Sequence, residues 1–175
     1  MKKLIAFIAL MGVCFCMLTG CAGGAQGTSA FQQVSPLKGQ KVALMVQSPD
    51  KEADYIVDVA TENLVDSLKS AGVEVLLYKS SGALSLSDEN PVVAFAAENQ
   101  AKFILIKQFT KIGLYNAAVD KFEASAALYE TESKKQIWRA AITYSTSMPF
   151  GYGPPMIASV SKTMELLVKD GFLVR

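Results

Sequence analysis

Two short apolar runs, Lys41 to Gln47 (KVALMVQ) and Val73 to Tyr78 (VEVLLY), are separated by a stretch with helical periodicity. That arrangement most constrains the fold. A helix of about twenty residues between two strands forces a crossover connection, so the strands must lie parallel in one sheet, in the right-handed sense. Ser48-Pro49-Asp50 followed by Glu52 starts the helix, with a capping side chain, a proline in the first turn and acids at the positive dipole end. Ile56, Ala60, Leu64 and Leu68 fall on one face, helped by Val57, Val59 and Ala71, and Gly72 stops the helix near Ala71.

The remaining pattern completes a sheet. Lys79 to Asn90 reads as a polar loop, and Asn90-Pro91 opens a short helix through Ala97 or Asn99. Lys102 to Phe109 is a third strand. Two long strands follow, from about Asn116 to Glu130 and from about Gln136 to Ser147, joined by Thr131 to Lys135, a turn without glycine. Pro154-Pro155 begins a final helix to about Lys169, with Ile157, Val160, Met164 and Leu167 expected to face inward. The predicted order is β-α-β-α-β-β-β-α, an α/β (α+β) domain over residues 41–175 whose mixed five-stranded sheet is flanked by helices.

Residues 1–20 do not belong to that domain. Lys2-Lys3 precedes an apolar run from Leu4 to Leu18, long enough for a signal-peptide core and short for a span of ~20 residues. Leu18-Thr19-Gly20-Cys21 resembles the lipobox of bacterial lipoproteins. The resemblance implies cleavage before Cys21, diacylglycerol on its thiol, and a further acyl chain such as palmitate on the freed amine. Two lipid signals make a stable membrane anchor. Ala22 stands where an Asp would retain an enterobacterial lipoprotein in the inner membrane, which implies the outer membrane facing the periplasm in a Gram-negative host. Residues 21–40, rich in Gly, Ser, Gln and Ala without sustained periodicity, read as a flexible tether spanning at most ~55 Å. Phe31 and Val34 alternatively form an irregular lead-in to the first strand.

Ala101-Lys102-Phe103-Ile104-Leu105-Ile106 as a central strand, with Ala127-Leu128-Tyr129-Glu130 and Gln136-Ile137-Trp138-Arg139 as a hairpin, resembles a group of envelope lipoproteins. The group includes the LpoB-type activators of penicillin-binding proteins, the CsgG-type secretion lipoproteins and the amino-terminal domain of TolB. The glycine usual in their hairpin turn is absent here, as are the long barrel-forming loops of the CsgG type. The resemblance implies a fold and an envelope neighbourhood rather than one role.

Composition narrows the chemistry. There is no histidine, which excludes Ser-His-Asp and Cys-His catalysis and His-ligated metals. Cys14 and Cys16 lie in the predicted leader, so Cys21 is the single mature cysteine and no disulfide is expected. Loss of Lys2 and Lys3 leaves 15 basic against 16 acidic side chains, a balance that does not suit a nucleic-acid partner. Phosphate-loop and EF-hand motifs are absent, and no cofactor or metal site is expected. Ser159-Val160-Ser161-Lys162 has the serine–lysine spacing of penicillin-binding enzymes without the partner motifs, and reads as a polar helix face.

Two stretches remain as candidate sites. Asp54, Asp58, Glu62 and Asp66 form an i, i+4 acidic ridge, either a solvated face or a docking strip for a basic partner or ion. Met148-Pro149-Phe150-Gly151-Tyr152-Gly153-Pro154-Pro155-Met156 is an uncharged loop with two aromatics and two methionines. Met148, Phe150, Tyr152 and Met156 either contact a partner protein, a second subunit or the membrane, or fold back over the core. The expectation is a non-enzymatic, lipid-anchored protein that binds other proteins in envelope assembly, secretion or peptidoglycan machinery. The alternative is a lipoprotein that binds a small molecule or glycan in the cleft at the strand ends.

Overall fold

The computed structural model describes residues 24–79 and 91–174. Cys21, the leader and most of the predicted polar loop lie outside the described residues. Six strands form one mixed sheet: β1 (Gly24–Phe31), β2 (Lys41–Gln47), β3 (Glu74–Leu77), β4 (Phe103–Tyr115), β5 (Ala118–Glu130) and β6 (Gln136–Ser145). Three helices pack on it: α1 (Asp54–Ser70), preceded by a 3-10 turn, α2 (Pro91–Glu98) and α3 (Gly153–Lys169). The strand order is β1-β6-β5-β4-β2-β3. β2 pairs in parallel with both β3 and β4, and the β4, β5, β6 and β1 neighbours are antiparallel.

Burial explains the sequence patterns. β2 and β4 are apolar at consecutive positions because both their faces are covered. Val42, Leu44, Phe103 and Leu105 join the main core beneath α1 and α3, while Ala43, Met45, Ile104 and Ile106 meet Val92 and Ala96 of α2 on the other face. β5 and β6 alternate because only one of their faces is covered along most of their length. Ala124, Ala126, Leu128, Trp138, Ala140 and Ile142 lie in the main core, and Arg139, Ala141 and Thr143 are exposed. Asp50 caps the entry to α1, accepting a hydrogen bond from the Ala53 amide at 2.9 Å. At the far end, the Trp138 indole N–H donates to the Asp170 carboxylate at 2.7 Å, tying β6 to the C-terminus of α3.

The structure corrects the expected five strands to six. The extra strand comes from residues read as tether: Gly24 to Phe31 pair residue by residue with β6, from Gly24 opposite Ser145 to Phe31 opposite Trp138. The reason it escaped notice is steric. α3 lies so close over β1 that a Cβ on Gly27 would sit 3.1 Å from Leu166 Cδ1 and 3.1 Å from the Ala141 carbonyl oxygen. Close packing has removed the large side chains that announce a strand. β4 also runs six residues beyond its predicted end, past a bulge between Phe109 and Lys111 that breaks its alternation, to a tight turn in which Asn116 and Ala117 both have positive φ. On α3 the buried stripe is set by Met156, Val160 and Leu167, and Ile157, expected inside, is exposed.

Gly27→Val should therefore overfill the β1–α3 contact and cost about 1–3 kcal/mol, lowering the melting temperature by about 3–10 °C. Gly24→Val, where nothing lies within 4 Å, should leave it unchanged. Equal melting temperatures for the two variants would contradict the contact.

Candidate functional site

Strand direction gathers the loops. The C-terminal ends of β2, β3, β4 and β6, the N-terminal ends of β1 and β5, and the starts of α1 and α3 all lie at one end of the sheet. The loop from Thr146 to Tyr152 is fixed there by three contacts. The Val119 amide donates to the Gly151 carbonyl at 3.0 Å, and the Thr146 amide donates to the Asp120 carbonyl at 2.9 Å. The Tyr152 ring meets Tyr55 of α1 edge to face, with centroids 5.5 Å apart. Gly151 takes φ +68°, which turns the chain into α3.

Within this frame the predicted loop residues separate. Phe150 is 87% exposed and Met148 66%, so neither folds back onto the core. Tyr152 is 37% exposed and leans on Tyr55. Met156 is fully buried, which removes it from the candidate partner-binding residues: it lies in the second turn of α3 and fills the core that Ile157 was expected to fill. The β4–β5 turn adds two exposed apolar side chains, Leu114 and Tyr115. Sequence reasoning passed over them because it placed the strand end too early.

The acidic ridge is exposed at all four positions, Asp54, Asp58, Glu62 and Asp66. Its members do not converge. Asp54 and Asp58 line a cavity of about 500 Å³ between the start of α1 and the ends of β2 and β3, together with Asp50, Thr61 and Tyr78. Glu62 and Asp66 lie further along the helix, and among the described residues no three acids are placed to hold a metal ion. This is the cleft in which a small molecule or glycan was the alternative. Tyr78 lines it, but Trp138 does not, being buried against Asp170 and Phe172.

One buried group was not anticipated. Lys107 on β4 is fully buried under α3, where its ammonium donates to Thr163 Oγ1 at 2.8 Å and approaches the Ser159 carbonyl at 3.5 Å. Thr163 Oγ1 in turn donates to the Ser159 carbonyl at 2.8 Å. Among the described residues no carboxylate neutralises Lys107, and desolvation pushes its pKa down to about 7. Its signal in the sequence is a single lysine inside the apolar run FILIKQF. The serine–lysine pair does not form a dyad: Ser159 Oγ is buried without a hydrogen bond, whereas Lys162 points outward to Glu165 at 2.6 Å.

No family model matches the sequence, and no curated protein matches it. Among solved structures, the PelC dodecamer from Paraburkholderia phytofirmans superposes with a TM-score of 0.61 at 11% identity, over 82% of this chain and 96% of PelC. The lipoprotein GNA1162 from Neisseria meningitidis gives 0.48 at 16% identity, over 74% of this chain and 99% of that one. TolB from Acinetobacter baumannii gives 0.40 at 14% identity, over 85% of this chain and 32% of TolB. The fold is thus a mixed α+β sheet of the kind PelC has, and at this identity the likeness extends to the fold alone.

The folded state binds fewer protons at Lys107 than the unfolded chain between about pH 7 and pH 10, so this residue makes stability rise with pH across that window. Lys107→Met should be more stable than wild type at pH 7 by about 1–4 kcal/mol, an advantage that shrinks toward pH 10. Urea denaturation of both proteins at several pH values measures it; a constant difference would contradict a buried, depressed lysine.

Proposed function

We propose that this chain is a non-enzymatic, lipid-anchored protein of the bacterial envelope that works by assembling with other proteins, copies of itself first. The observation that carries the reading is the outer face of the β1-β6-β5 half of the sheet. α2 covers only the β2 and β4 side, and Ala127, Arg139, Ala141 and Thr143 face outward from β5 and β6 beside Thr28 of β1. Apart from Arg139 these side chains are small, and they leave the face flat and lose little rotamer entropy when it is covered. The shared fold of PelC, a dodecamer, supports self-assembly as the first case to examine. The lipobox at Cys21 supports the anchor, and Ala22 the outer membrane facing the periplasm. No helix among the described residues is long and apolar enough to cross a membrane. Envelope assembly, secretion and peptidoglycan machinery are the settings that fit. The cavity beside Tyr78 keeps a small-molecule or glycan ligand as the second reading.

The test uses the full-length protein extracted from membranes in mild detergent. Metabolic palmitate should label wild type and not Cys21→Ala. Light scattering should give a discrete assembly larger than one chain. Ala127→Glu with Ala141→Glu should reduce it to a monomer, with a melting temperature within about 4 °C of wild type, since Ala141 is exposed and Ala127 half-exposed on the face. A monomeric wild type, or a double variant that assembles unchanged, overturns the self-assembly reading.

A further inference from the structure

The corrected first strand changes where the anchor lies. β1 runs antiparallel to β6, and its first residue, Gly24, is opposite Ser145, the residue that leads into the Thr146–Tyr152 loop. The chain therefore enters the fold at the loop-bearing end. Cys21 is three residues from Gly24, and three residues reach at most ~11 Å. An acyl group on Cys21 consequently sits beside this end, not at the tip of a long leash.

The same end carries most of the exposed apolar side chains. Of ten large hydrophobic residues exposed among the described residues, six are here: Tyr55, Leu114, Tyr115, Met148, Phe150 and Tyr152. Five of them project from two uncharged stretches, residues 112–119 and residues 140–161, and Tyr55 from the acidic start of α1. Gly24 itself borders a shallow cavity with Lys111 and Lys121, of which Lys111 is 4.0 Å from Glu123. The acids Asp50, Glu52 and Asp54 lie at the start of α1, next to Tyr55 and so on the α1 flank of the loop, away from the β4–β5 turn in sequence.

We propose that this end is a membrane-docking surface. The leaflet that holds the acyl chains of Cys21 also takes Phe150, Met148, Leu114 and Tyr115 at its headgroup–acyl boundary. Lys121 and Lys111 then meet lipid phosphates, and the domain is tilted so that the β4–β5 turn and the Thr146–Tyr152 loop lie lowest. Aromatic and apolar side chains on convex loop tips suit that boundary, where an apolar body and a polar rim are both accommodated. A bilayer is favoured over a protein partner because the anchor holds it within ~11 Å of Gly24, at the same end of the sheet as these residues. The inference rests on the lipidation of Cys21 in the function proposed above.

The experiment uses full-length, lipidated protein in vesicles of phosphatidylethanolamine and phosphatidylglycerol. Cys21 is the only cysteine beyond the leader and its thiol is occupied, so Phe150→Cys carries an environment-sensitive fluorophore at one site, and Lys135→Cys, in the β5–β6 turn at the opposite end, serves as control. Doxyl lipids should quench the label at 150 by about twofold and leave the label at 135 unchanged, because only the first lies at the acyl boundary. Equal, weak quenching at both sites in protein that floats with the vesicles overturns the docking surface and leaves the anchor standing. Protein that does not float overturns the anchor itself. Protection of the label at 150 in lipid-free Cys21→Ala protein, to the same degree as in vesicles, assigns the patch to a protein contact and also overturns the proposal.

Discussion

Parallel pairing of β2 with β4 is the constraint on which the rest of the structure depends. Once Val42 lies opposite Phe103 and Gln47 opposite Gln108, both strands run the same way and neither can be an edge. Their apolar side chains then point to both faces, so both faces need a cover. α1 and α3 provide one and α2 the other. The direction of β4 fixes that of β5, β6 and β1 through three antiparallel pairings. In this way a local pattern of two buried strands decides which end of the molecule carries the loops and where the amino-terminal segment enters.

Asymmetry follows from the short second helix. α2 has eight residues and lies over β2 and β4, with Leu76 of β3 and Tyr129 of β5 at its margins, while α1 and α3, of seventeen residues each, lie over the opposite face. The main core is accordingly large and aromatic, with Trp138, Phe103, Phe109 and Phe122 fully buried. The second core is small, and among the described residues no helix covers the other half of that side of the sheet. The outer face of β1, β6 and β5 and the apolar loop end are separate surfaces, so the self-assembly and the membrane docking proposed above would use different residues. Lys107 is the one buried cation among the described residues, set beside buried Ser159 and Thr163. Its depressed pKa reflects burial without a counter-charge, and its hydrogen bonds hold α3 over β4.

Most of the fold was legible because its elements bury large side chains at regular spacing. β2, α1, β4 and the β5–β6 hairpin carry apolar residues at nearly every core position, and Pro49 and Gly72 mark the ends of β2 and α1. β1 was illegible for the opposite reason: Gly27 and its small neighbours exist to let α3 approach, so the strand resembles a linker. Met156 and Ile157 are adjacent apolar residues, and only packing decides that the first is inside and the second outside. Of the candidate site, the exposure of Phe150 and Met148 follows from their uncharged, glycine- and proline-rich loop. Leu114 and Tyr115 required knowledge of where β4 ends, and a bulge hid that. The acidic ridge reads correctly as a row but gathers only Asp54 and Asp58 at one cleft.

The position proposed for the anchor depends on Gly24 to Phe31 being part of the sheet. Hydrogen exchange of the amides in this segment, in the native full-length protein, measures that directly. An antiparallel edge strand directs every second amide to its neighbour, and the Gln32 amide continues the ladder to the Ile137 carbonyl at 3.0 Å. Protection alternating along residues 24–32, and lost only with unfolding of α3, is the predicted result. Exchange of the whole segment at the rate of an unstructured peptide would return these residues to a free tether and contradict the account.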